Sequence, residues 1–181
     1  MNTRDFANVM AMLGSELALG VPPGAKGSYM LNLGDPGLLA SLDKVSAAAA
    51  SSTHAGGASI AAHADHVRYG VSLLNQWLAG AEAPWVGADW TTSWKKNVVS
   101  DDEWRALRAE LRRELTTWVD AMRTPRELNE RGLGWLMGSI AHLGYHVGAI
   151  RQIDRAARGP TAEDEALLKS AKTLTRRRST M

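Results

Sequence analysis

Apolar residues recur at three- and four-residue intervals over long stretches of this chain, the pattern of helices that bury one face. Phe6, Val9, Met10, Leu13 and Leu17 set such a stripe between Thr3 and Leu19, and Gly20 with Pro22, Pro23 and Gly24 ends it. Asp35-Pro36 is a helix start, with Asp able to cap and Pro suited to the first helical position. Leu38, Leu39, Leu42, Val45 and the 47–50 alanine block predict that this helix continues unbroken to Ser51. Ser59 caps a further predicted helix reaching Leu78, whose stripe holds Ile60, His63, Val67 and Leu74, with His66, Leu73 and Trp77 offset by one position. Ser100 and Glu103 form a capping box ahead of Trp104, Leu107, Leu111, Leu115, Trp118 and Val119, a helix lasting to about Met122. Another is expected from Gly132-Leu133 to about Ala157, and a short last one from Thr161, with Asp164 in a capping-box position, to Leu174.

Between these lie a loop carrying Tyr29, Leu31 and Leu33 and a longer one carrying Trp85, Trp90 and Trp94. Neither alternates long enough for a sheet. The expectation is therefore an all-α fold, an antiparallel four-helix bundle with extra short helices at the N- and C-terminal ends. It forms one domain over residues 1–175 of the 181, followed by a basic tail at 176–181 expected to be disordered.

Composition narrows the chemistry. The chain has no cysteine, which removes disulfides, thiolate metal sites and cysteine nucleophiles together. A net charge of +2 is no nucleic-acid footprint, and Arg176-Arg177-Arg178 reads as a solvated end rather than a binding patch. Arg4 and Asp5 precede a short, broken apolar run, unlike a secretory signal or a membrane span, so a cytoplasmic protein without a membrane partner is expected.

Two histidines, His142 and His146, stand four residues apart inside the run Gly138–Ile150. On a helix that spacing sets their Cβ atoms about 5–6 Å apart on one stripe, close enough for two rings to share an ion. His63 and His66 lie three apart on an earlier helix, and either can supply a third imidazole if the two helices pack together. Three neutral imidazoles suit Zn²⁺, Ni²⁺ or Cu²⁺ and suit Mg²⁺ or Ca²⁺ poorly. They also leave a coordination position open, as catalytic rather than structural zinc does. The bland reading is that these imidazoles bond to each other, to Tyr69 or Tyr145, or to water.

The pattern His142-x-x-x-His146 followed by Val147-Gly148-Ala149-Ile150-Arg151-Gln152-Ile153, with an upstream His66-Val67, resembles the DinB/YfiT-like superfamily. The likeness is local to 59–77 and 139–153, and the helix order across most of the chain is consistent with it. It implies a four-helix bundle holding a divalent metal, zinc or nickel, through His66, His142 and His146, and frequent homodimers. His66 is preferred over His63 because an aliphatic residue follows it. Relatives of that kind include transferases and isomerases that use a low-molecular-weight thiol; a hydrolytic version would use water. This chain departs from the pattern in having His63 and in the stretch beginning at Asp35, which has no clean counterpart.

No proton acceptor is evident. Asp65 adjoins the histidines, and Tyr145, Arg151, Gln152 and Asn75 are candidates to orient a small-molecule substrate, though structural roles fit each of them better. Trp85, Trp90 and Trp94 read as a cluster pinning their loop, with a substrate pocket or dimer contact as the alternative. Trp104, Trp118 and Trp135 read as core. A different class of function also fits: a non-catalytic bundle that binds a small apolar ligand or a protein partner and keeps a vestigial histidine cluster.

Overall fold

Side-chain caps decide where helices begin in this protein. The computed structural model describes residues 2–161 and 164. Asn2, Ser59 and Ser100 each accept a backbone amide of the first helical turn, opening α1 (Thr3–Leu19), α4 (Ile60–Leu78) and α5 (Asp101–Met122) at the expected places. Ser100 and Glu103 bond reciprocally, as a capping box should.

The helix expected from Asp35 to Ser51 is two pieces, α2 (Gly37–Leu42) and α3 (Ala47–Ala50). Apolar spacing runs through the break, but local chemistry overrides it. Ser46 caps α3 by accepting from the Ala49 amide, and the Val45 carbonyl is drawn to the Trp104 indole N–H at 2.8 Å. Asp43 turns outward to Arg108 and Arg112 of α5. Helix α6 (Glu130–Ile153) starts two residues earlier than expected because Asn129 caps it, accepting from the Gly132 amide. It ends short of Ala157, where Asp154 turns extended and caps a single 3₁₀ turn, Arg155–Ala157. Thr161 and Asp164 make the reciprocal bonds of a capping box. The rest of the predicted last helix and the 176–181 tail lie outside the described residues.

The described residues are all helix and loop, with no strand. The Tyr29–Met30 loop is tied down instead by Glu16, whose buried carboxylate accepts both backbone amides. Among the four long helices, α4 contacts α5, α5 contacts α1, α1 contacts α6 and α6 contacts α4. Leu17, Ile60, Leu111, Leu115, Trp118 and Ile150 fill the space between them and are fully buried. A Cβ on Gly14 would come within 2.5 Å of Met122 Cε, so α1 and α5 approach closely there.

One lock joins distant parts of the chain. Asp35 is buried and bidentate to Arg151 of α6, at 2.7 and 2.9 Å. Its carboxylate also accepts the Gly37 amide, and its carbonyl accepts the Val21 amide. Gly20 and Gly37, both at positive φ, cross there backbone against backbone, leaving no room for a Cβ on either. No helix among the described residues is long and apolar enough to cross a membrane.

Candidate metal centre

The first two turns of α4 are buried on every side, from Ile60 to Val67. One cause is the loop after α4, which folds back so that Trp90 and Trp94 lie against the His66 ring; Trp94 stacks on it with centroids 4.1 Å apart. His63 and His66 are thereby held facing His142 and His146 of α6. His142 Nε2 lies 3.3 Å from His66 Nε2 and 3.0 Å from His146 Nε2. One ring nitrogen from each of these three histidines lies within 4.8 Å of the other two, so the trio could hold a metal ion. Two nitrogens bound tetrahedrally to one zinc at about 2.0–2.1 Å would stand roughly 3.3–3.4 Å apart. Two of the three spacings are therefore close to that of a shared ion, and they also suit an imidazole hydrogen bond.

Proton positions follow from the partners. The Ser93 hydroxyl donates to the Trp90 carbonyl at 2.7 Å, so its oxygen must accept from His66 Nδ1 at 2.8 Å. A neutral His66 then carries its proton on Nδ1 and turns a bare lone pair on Nε2 toward His142. This is how an outer partner fixes the tautomer of a metal-binding imidazole. His63 is placed to do the same for His146 when it accepts from His146 Nδ1. The two Nδ1 atoms lie 2.9 Å apart, on the side of the His146 ring opposite its Nε2. His63 thus stands behind the trio rather than replacing His66 in it.

Burial keeps the cluster neutral. It lowers the His146 pKa to about 3, with His142, His63 and His66 adding repulsion, and the His66 pKa to about 4, with His142 and His63 adding repulsion. Burial also lowers His63 and His142. At neutral pH each imidazole is therefore uncharged and keeps one nitrogen lone pair, the state a metal ligand requires. A neutral His142 can either donate from Nε2 to one of its two neighbours, as in the hydrogen-bonded alternative, or turn a lone pair to the same point. In the second tautomer the donor set fits a divalent ion.

The centre has one exposed side. His66 and His146 are buried, whereas His142 is exposed and borders a cavity of about 330 Å³ between α4 and α6. Trp85, Trp90 and Trp135 line this cavity with Val71 and Leu74. Trp85 and Trp90 therefore do more than pin a loop, and Trp135 is half-buried at the cavity wall rather than core. Trp104 and Trp118 are core as expected.

The other candidate residues are engaged elsewhere. Asp65 is paired with Arg68 at 2.8 Å, which itself reaches Glu110 of α5. Asn75 donates to the Glu114 carbonyl and carboxylate, and Arg151 is locked to Asp35. Gln152 is exposed, and Tyr145 is 64% exposed with its ring edge against His146. The fifth histidine, His54, is exposed on the loop before α4. Sequence reasoning missed Ser93, which no spacing marks, and the glycines of α6 that border the cavity. No family model, no curated protein and no solved structure matches this chain.

Proposed function

We propose that this protein binds a divalent metal, zinc or nickel, through His66, His142 and His146, as a DinB-like metal-dependent enzyme acting on a small molecule. The observation that carries the reading is the convergence of three Nε2 atoms, two of them buried and one beside an open cavity. The closed ring of contacts among the four long helices supports the antiparallel bundle that goes with it. When bound, a divalent ion with a vacant position supplies Lewis acidity that lowers the pKa of a thiol or water reaching it.

The chain's own residues then do the positioning. Ser93 and His63 hold two imidazoles in orientation from behind, and Trp94 excludes water from the buried side of His66. Among the described residues no Asp or Glu side chain lines the cavity, so chemistry that needs a dedicated carboxylate base is disfavoured. Transfer of a low-molecular-weight thiol to an electrophile fits better than hydrolysis, because a thiol needs less help to lose its proton. A homodimer belongs to the same proposal.

The test is calorimetric titration of chelator-treated, untagged protein with Zn²⁺ and Ni²⁺. Uptake near one ion per chain with a rise in melting temperature is expected, because a ligand that binds only the native state must stabilise it. No uptake and no rise would sink the reading. A second reading, a ligand-binding bundle with a vestigial histidine cluster, is favoured by the apolar lining of the cavity. It predicts that His142→Ala leaves ligand binding intact.

A further inference from the structure

The seam between α4 and α6 is held open by residues that packing does not call for. Gly134 and Gly138 lie inside α6, where glycine weakens a helix relative to alanine. A Cβ added at either would meet no atom within 4 Å. Both border the 330 Å³ cavity, and Gly70 faces it from α4, beneath the Trp90 ring. The far wall is a braced aromatic cluster. Trp85 and Trp135 meet edge to face with centroids 4.0 Å apart, and Trp77 braces Trp135 at 5.2 Å. A wall fixed before the guest arrives costs little ordering when it binds.

Among the described residues, the lining carries no Asp, Glu, Lys or Arg. Away from the His142 end, an ionised group would leave water and find no counter-charge, which is unfavourable. The Ser139 hydroxyl donates to the Leu136 carbonyl at 2.7 Å, and His142 is the ionisable side chain in the described lining. The volume is at the lower end of ligand cavities, roughly 300–1,000 Å³, which limits the guest to a small ring system.

We infer that the cavity between α4 and α6 takes an uncharged aromatic or alicyclic molecule, its ring against Trp85 and Trp135 and its functional group toward His142. For the placement of that functional group, the inference rests on the metal reading above; for the nature of the guest it does not. For the proposed enzyme this means a cyclic substrate with no charge on its ring portion, rather than a sugar phosphate or nucleotide whose charge is spread along the molecule.

The test is calorimetry on the chelator-treated full chain with 2-naphthol and naphthalene-2-sulfonate, rings of one size that differ in charge. 2-Naphthol is expected to bind at least about tenfold more tightly. Gly138→Leu and, separately, Gly134→Leu are expected to weaken it by about tenfold without lowering the melting temperature, because each fills empty space. With zinc added, benzohydroxamate should bind at least about tenfold more tightly than acetohydroxamate, since only the former carries a ring. Equal binding of the two naphthalenes, no 2-naphthol binding, or wild-type affinity in both leucine variants would overturn the inference. A zinc titration of the same preparation separates the two readings. Naphthol binding without zinc uptake sinks the metal centre and leaves the guest assignment, whereas zinc uptake without naphthol binding does the reverse.

Discussion

Helix α4 meets α5 along one side and α6 along another, and the two seams are built from different material. Toward α5 the seam is dense. Leu107, Leu111, Leu115 and Trp118 of α5 are buried in the bundle core, and Asn75 and Arg68 of α4 reach Glu114 and Glu110 across the seam. Toward α6 it is loose, with Gly134 and Gly138 beside a cavity and four imidazoles instead of aliphatic side chains. One side of the helix supplies cohesion and the other leaves room for chemistry. Tight packing on the α5 side is what lets the α6 side keep polar groups and empty space that would otherwise be costly.

The comparison breaks most visibly at Leu115. Leu115→Ala should cost about 2–5 kcal/mol in denaturant unfolding while leaving zinc stoichiometry unchanged. A loss of zinc binding from the folded variant would mean the two seams are not independent. His146→Ala should do the opposite, removing zinc uptake and with it the stabilisation of about 2.7 kcal/mol expected at a hundredfold excess of zinc over Kd. Calorimetry and thermal melts with and without zinc check this.

His63→Ala sharpens the picture within the loose seam. As the partner behind His146 it should weaken zinc about 10- to 100-fold without changing the stoichiometry. If the stoichiometry fell instead, His63 would be a ligand and not a support. Acid reads the same cluster in the metal-free protein. The unfolded chain's imidazoles take up protons below their ordinary value of 6.5, whereas His66 stays neutral to about 4 and His146 to about 3. Stability is then full above pH 6.5 and is lost progressively through the acid range. Melting curves at stepped pH should show this fall, and His146→Ala should flatten it. The smallest effect is at Gly138: Gly138→Ala should raise stability by up to about 1 kcal/mol, since alanine is the better helix former and meets no obstacle. A loss of stability would show that the glycine serves the backbone rather than the cavity.

Much of this was legible in the sequence because its signals are local. Ser59 and Ser100 mark helix starts by their own hydrogen bonds, and the histidine spacings on α4 and α6 need only helical geometry to project from one stripe. What was not legible depends on contacts between remote residues. The break at Val45 follows from an indole fifty-nine positions away, and the standing of His63 behind His146 depends on how two helices are turned about their axes. Ser93 sets a tautomer only because a 3₁₀ turn, Thr92–Trp94, folds over α4. Trp135 has the spacing of a core residue, yet its neighbours on α4 and α6 include glycines that never close over it.

Asp35 holds the end of α1, the start of α2 and the last turns of α6 through a single carboxylate and its own carbonyl. Stretches more than a hundred positions apart therefore share one latch. Their amides should exchange with deuterium as one cooperative unit rather than fray separately, and whatever frees the aspartate frees them all at once.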